Sequence, residues 1–238
     1  MKTKNNIILA IGAHPDDLEL FCGGTLVRSL RTGHRVAMAF VCRGDKGGPP
    51  GRNKTIAHIR AREAKKAAHI IGAESLSLGF KDSEILPTMH LRRCMVDLIR
   101  RIQPDVLLTH FPSDYHADHR VVSQCVTDAA YIASSPGFQT RHAPWAHIPV
   151  LYYFDSLMGI GFLPTEYVDI SAVIGTKIAM IKCHQSQFQH LRQRGNLDIL
   201  TLARDTAKFR GWQAGVQYAE AFQICSAWPN IKTTRILP

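Results

Sequence analysis

Nothing in this chain approaches the roughly 18 consecutive apolar residues that a membrane-spanning helix needs, so its sequence gives no reading as a membrane span. It also lacks paired cysteines. Its six, Cys22, Cys42, Cys94, Cys125, Cys183 and Cys225, are spread without close pairs, which argues against a disulfide framework and against a cysteine-based zinc site. Reduced, buried thiols in a cytoplasmic protein are the expectation. The apolar run near the start, Ile7 to Ile11, is too short for the core of a secretory signal and meets His14 and Asp16 at once. It reads as a strand. There is no internal repeat, no low-complexity segment and no linker, so residues 1–238 are expected to form a single domain. At 45% hydrophobic and 20% charged the composition is that of an ordinary globular protein with a substantial core.

Charge is lopsided, with a formal net of +10. That could signal an anionic partner such as a nucleic acid or a phosphorylated substrate. The basic residues are scattered, however, from Arg28 through Arg60, Arg62, Lys65, Lys66, Arg92, Arg93, Arg100 and Arg101 to Lys232 and Arg235, and no nucleic-acid-binding motif accompanies them. Solvated helix faces explain them, and neither nucleic acid nor membrane is expected as a partner. A basic Rossmann-like module for nucleotides or nucleic acid stands as the alternative of another class, without the G-x-G-x-x-G that such a module carries after its first strand.

Strand-like runs over 7–12, 35–42, 75–78, 106–109, 150–154 and 166–170 alternate with helix-like segments over 19–32, 55–72, 88–102, 119–133, 171–184 and 199–211. Gly33 and Gly72 end two of the helices, and Pro104 follows a third. Such alternation predicts an α/β fold: a Rossmann-like, doubly wound, mostly parallel sheet with helices on both faces. Ligands in such sheets bind beyond the carboxyl ends of the strands. The first and fourth strands are neighbours at the usual switch point, so residues following them would meet.

Those positions hold chemistry. Ala13-His14-Pro15-Asp16-Asp17-Leu18-Glu19 follows the first strand, and His116-Ala117-Asp118-His119 comes after the fourth. A catalytic zinc takes three protein ligands and keeps one position open; His14, Asp17 and His119 could supply them. Asp16 is then free to take a proton from water acidified by the metal. His116 could stabilise an oxyanion or protonate a leaving amine, and Asp118 could orient one of the imidazoles. Either cluster alone could be a turn or a helix cap. Their joint occurrence at two strand ends favours the metal site. Mixed His/Asp sites also accept divalent ions other than zinc.

On these residues the chain resembles the PIG-L/LmbE-like family of zinc-dependent N-deacetylases, whose A-H-P-D-D-x-E and H-x-D-H motifs it meets in full. Supporting similarities are Arg43-Gly44-Asp45-Lys46-Gly47, Arg60-Ala61-Arg62-Glu63, Asp82-Ser83-Glu84-Ile85, His184-Gln185-Ser186-Gln187 and Gly215 to Phe222. The resemblance implies zinc on His14, Asp17 and His119, Asp16 as general base, and His116 as oxyanion stabiliser or acid. It also implies that Arg60 contacts substrate, where the bland reading is a solvated helix charge. Arg43 and Lys46 could line the mouth of the site or simply form a turn. Some members carry a Tyr two residues before the first His of the second motif; here that position is Asp114, better suited to holding the loop or a histidine, and Tyr115 is one residue closer. His184 and His190 could join the site from a late helix or lie on a helix surface.

The resulting expectation is a cytoplasmic zinc hydrolase that removes an acetyl group from an N-acylated amino sugar or an N-acetylglucosaminyl conjugate. The resemblance extends this to precursors of low-molecular-weight thiols such as bacillithiol and mycothiol, and to trimeric or hexameric assembly. An amidase for a larger thiol–sugar or glycopeptide conjugate is the nearer alternative. Loops over 44–54, 134–147 and 155–165 are expected to form the specificity rim.

Overall fold

A computed structural model describes residues 5–195 and 198–227. Lys232 and Arg235 lie outside the described residues. Strand β1 (Ile7–Gly12) is flanked by β2 (Arg35–Cys42) and β4 (Val106–Thr109), both parallel to it, with Ile8 level with Val36 on one side and Val106 on the other. Strand β3 (Glu74–Phe80) continues the sheet beyond β2, and β5 (Val150–Phe154) beyond β4, again in parallel. Strands β6 (Glu166–Asp169) and β7 (Ala219–Ile224) complete a seven-stranded order β3-β2-β1-β4-β5-β7-β6, with β7 antiparallel to both its neighbours.

Continuous apolar strands are buried on both faces. In β1, Ile8 and Ala10 enter one core cluster with Met38 and Leu108, while Leu9 and Ile11 enter another with Ala39 and Leu107. Helices α1 (Asp17–Phe21), α2 (Gly23–Arg31), α3 (Asn53–Ile71), α6 (Ile174–Ile181) and α8 (Ile199–Ala214) contribute side chains to the first face. Helices α4 (Met89–Ile102) and α5 (Ala117–Ile132) cover the second. The doubly wound, mostly parallel arrangement is therefore the one the alternation of elements predicts. Thr88 caps α4 by accepting from Leu91 N–H, and Gln103 ends it at φ 55°.

Three elements differ from the sequence expectation. The helix expected over 19–32 is two, α1 and α2, broken at Cys22 (φ −139°). Its break has a tertiary cause: the Glu220 carboxylate of β7 accepts from Gly24 N–H and Thr25 N–H and so caps α2 from the other end of the chain. Helix α7 (Gln185–Gly195) and strand β7 have no counterpart in the expected elements.

The loop over 134–147 is not part of the rim. The buried Arg100 guanidinium donates to the carbonyls of Ala133, Ser135 and Phe138, and Trp145 donates to Pro104 O just before β4. Those contacts hold it at the amino ends of the strands, opposite the carboxyl ends where ligands bind.

Candidate metal centre

Beyond the carboxyl ends of β1 and β4 the two sequence clusters meet. The His14-Pro15-Asp16-Asp17 turn closes on itself: Asp17 N–H donates to His14 O at 3.2 Å, and His14 N–H donates to Asp17 Oδ2 at 2.6 Å. That turn opens α1 and fixes the Asp17 side chain under the histidines. His116 caps α5, its Nδ1 accepting from Asp118 N–H at 3.2 Å, so His119 projects from the first turn of that helix toward Asp17.

Asp17 is the hub. His14 Nδ1 lies 3.6 Å from its Oδ2, and His119 Nε2 lies 3.5 Å from its Oδ1. In each imidazole the other nitrogen is committed to a carboxylate: His14 Nε2 to Asp118 Oδ2 at 2.9 Å, and His119 Nδ1 to Asp114 Oδ2 at 3.2 Å. This is the arrangement in which a carboxylate fixes the tautomer of a metal-ligating histidine and raises its basicity. It leaves His14 Nδ1, His119 Nε2 and the Asp17 carboxylate as the free donors, a set that suits a divalent ion. Donor atoms come within 4.8 Å of one another in two overlapping triplets, His14–His116–His119 and Asp17–His110–His119. His119 is common to both, His14 belongs to the first and Asp17 to the second, and Asp17 lies 3.6 Å from His14 Nδ1 and 3.5 Å from His119 Nε2. Cys42 forms a third grouping with His14 and Asp82, but burial pushes its thiol up and away from the thiolate form.

The electrostatics favour positive charge here. Burial opposes protonation of His14, yet Asp118 and Asp17 outweigh it and lift the pKa to about 10. His119 rises to about 9 through Asp17 and Asp114, again against burial. Although burial alone would raise Asp17, the charge of His119 holds it well below the usual carboxylate range, while burial lowers His110 to about 4 and keeps it neutral. Burial, opposed by Arg60, lifts Asp16 to about 6. His116 is lowered by burial and by His119 and His14, so it is neutral near pH 7. Its Nδ1 accepts from backbone, so its Nε2 carries the proton.

His110, at the end of β4, went unnoticed in the sequence. It is fully buried, its Nε2 accepts from Ala13 N–H at 2.8 Å and lies 3.2 Å from Asp17 Oδ2, and its ring stacks on His119 with centroids 3.8 Å apart. A histidine directly ending a buried strand beside a motif strand was the available signal. His184 is not on a helix surface: it is buried immediately before α7, with Nε2 3.1 Å from Glu19 Oε1 of the first motif. Ser186 donates to Glu63 through both N–H and Oγ, and Gln187 donates to Gly47 O, so this segment ties α7 to α3 and to the glycine-rich loop.

An open cavity of about 1280 Å³ lies over the centre. His14, Asp16, Asp17, His116 and His119 line it, with Lys46, Arg60, Tyr115 and Leu157 on its walls, and Gln187, His190 and Leu202 from the late helical region. Asp118 and Asp114 stand behind the imidazoles, 2% exposed each. Arg60 is 3% exposed, a buried residue of α3 rather than a solvated charge. Arg43 is not on the cavity wall: its guanidinium is paired with Asp45 Oδ2 at 2.9 Å and borders a separate hollow with Phe40, Ala61 and Lys65. The Asp45 carboxylate, itself accepting from Asp82 N–H, draws the guanidinium back toward its own loop.

Comparison with known proteins bears on this centre. The family model described as "PIG-L: GlcNAc-PI de-N-acetylase" matches residues 9–130, a span that includes both clusters. The diacetylchitobiose deacetylase of Thermococcus kodakarensis is 28% identical over 231 residues, covering 91% of this chain and 82% of its own. The 4-oxalmesaconate hydratase of Pseudomonas putida is 27% identical over 202 residues, covering 80% of this chain and 77% of its own. Among solved structures, the N,N'-diacetylchitobiose deacetylase of Pyrococcus horikoshii superposes with a TM-score of 0.81 at 24% identity, over 92% of this chain and 84% of that one, a likeness of fold. These matches support an enzyme and lend nothing to the nucleotide- or nucleic-acid-binding alternative.

Proposed function

Because the chain belongs to the PIG-L family, we propose that it is a metal-dependent N-deacetylase acting on an N-acetylated amino sugar or N-acetylglucosaminyl conjugate, with its whole length working as one domain. The observation that carries this is the convergence of His14 Nδ1 and His119 Nε2 on Asp17, each ring anchored from behind by a carboxylate. Asp16 stands beside them on the cavity wall. A divalent ion, zinc by family resemblance, held by His14, Asp17 and His119, would polarise the amide carbonyl and acidify a water molecule.

The chain's own groups supply the proton chemistry. Asp16, with a pKa raised to about 6, is ionised near neutral pH yet basic enough to take the proton of the attacking water. The Nε2–H of neutral His116 donates to the oxyanion of the tetrahedral intermediate. Since His116 stays neutral, Asp16 is the group that returns the proton to the nitrogen as the C–N bond breaks. Acetate and a free amine are the products. Asp118 and Asp114 keep the two imidazoles oriented throughout.

Likeness to the 4-oxalmesaconate hydratase supports a second reading, in which the same centre adds water across a carbon–carbon double bond of an unsaturated polycarboxylic acid. The cavity favours the first. Its wall cations Lys46 and Arg60 are each paired with a carboxylate, Glu84 at 3.0 Å and Asp16 at 3.0 Å, so an uncharged sugar amide fits better than a polyanion. Amine release from N-acetylglucosamine and its α-glycosides, by protein stripped with chelator and reloaded with zinc, tests the proposal. Zinc-dependent release establishes it. Stoichiometric zinc binding without release from these or from larger acylated conjugates removes the deacetylase, and turnover of an unsaturated acid would then install the hydratase.

A further inference from the structure

Asp16 has φ 126° and ψ −23°, a backbone conformation that L residues adopt only at a cost of about 1–3 kcal/mol and only where the surroundings enforce it. Two backbone bonds act near it, Asp17 N–H to His14 O and Leu20 N–H to Asp16 O. The third hold is a side chain from α3. Arg60 Nη2 donates to Pro15 O at 2.5 Å and to Asp16 Oδ1 at 3.0 Å, gripping both the peptide before Asp16 and its carboxylate. Nη1 of the same guanidinium faces Gly44 O at 3.5 Å.

The glycine-rich loop is shaped around that guanidinium. A Cβ at Gly44 would stand 2.6 Å from Arg60 Cδ, and one at Gly47 would stand 2.7 Å from Arg60 Nη1 and 2.9 Å from Gln187 Nε2. Gly44 also sits at φ 74°, whereas Gly47 has no positive φ; its lack of a side chain answers to space alone. The loop glycines thus form a slot that the arginine fills, with the Gln187 amide beside it at Gly47.

We propose that Arg60 is the positioning residue of the reaction: seated in the slot made by Gly44 and Gly47, it holds Asp16 in its positive-φ conformation with the carboxylate turned to the cavity. The part that concerns turnover rests on the deacetylase reading; the part that concerns the backbone does not. Arg60→Gln, Arg60→Lys and Gly47→Ala, each loaded with zinc, test it by kinetics on N-acetylglucosamine and by crystal structures. A residue that orients the base lowers kcat and leaves KM unchanged, by about 10–100-fold for a supporting partner of this kind. Lysine keeps the charge without the fork, so Arg60→Lys should share the loss. Gly47→Ala should reproduce it by displacing the guanidinium, which also covers the case in which Arg60→Gln fails to fold. In the crystals, Asp16 should leave positive φ. A rise in KM at constant kcat, or full turnover in Arg60→Lys, would overturn the proposal in favour of substrate binding or of charge alone. Asp16 retaining φ near 126° without the guanidinium overturns it even if no acetylated sugar is ever turned over, so its failure is distinct from that of the deacetylase reading.

Discussion

Asp118 accepts from two donors through one carboxylate oxygen, Ser83 N–H at 2.8 Å and His14 Nε2 at 2.9 Å. It touches neither the cavity nor the proposed reacting atoms, so its contribution is the orientation of His14. Asp118→Asn should weaken zinc binding by about 10–100-fold, read by zinc titration against a competing chelator; unchanged affinity would remove that role. Asp16 does the opposite work. Asp16→Ala should bind zinc stoichiometrically and release no amine, and retained turnover would rule it out as the base. The active form is the carboxylate, so kcat/KM should fall as pH drops through the Asp16 pKa. That value is about 6 with the Arg60 guanidinium alongside, and a bound metal ion moves it lower. A pH–rate profile with no acid limb down to the carboxylate range would contradict the assignment.

At the scale of elements, the catalytic turn depends on contacts from distant parts of the chain. Glu220 of β7 accepts from Gly24 N–H, Thr25 N–H and Thr25 Oγ1 at 2.6–2.8 Å, and from Lys177 Nζ of α6 at 2.6 Å. Lys177 also donates to Leu20 O at 2.7 Å, at the end of α1. Glu220, Lys177 and Thr25 are all buried. Glu220→Ala would leave an uncompensated ammonium in the core and an uncapped helix, a loss of about 3–5 kcal/mol measurable by denaturant unfolding. A cost under about 1 kcal/mol, the range of an exposed pair, would show that the network is not structural. Arg100 provides the contrast. Its loop packs at the opposite end of the sheet, so Arg100→Ala should lower stability and leave KM where it is.

For the molecule as a whole, the doubly wound order puts β1 and β4 side by side although a long stretch of chain separates them, with Ile11 level with Thr109. The residues after both strands therefore emerge into one crevice at the switch point. A ligand that binds only the native state stabilises it by mass action, about 2.7 kcal/mol at a concentration 100 times its dissociation constant. For a chain of this length that is a rise of about 5–10 °C in Tm. Zinc at that level should produce this shift, and His119→Ala should abolish it. A Tm indifferent to zinc would place the ion outside the folded centre.

The sequence by itself determined the sheet's parallel core, the strand ends that carry chemistry, and the pairing of His14 and Asp17 with His119, because these follow from local periodicity and from the order of elements. Continuous apolar runs such as Val106–Thr109 announce buried strands whatever surrounds them. What only the tertiary structure decided depends on atoms far apart in the chain. The break at Cys22 is set by Glu220, and the removal of the 134–147 loop from the rim by Arg100. His110 acquires meaning only when Asp17 and His119 close over it. Arg60 looks like one more charge on a helix until folding seats its guanidinium on Asp16. A side chain's partners in three dimensions are not periodic in sequence, so no local pattern could have assigned them.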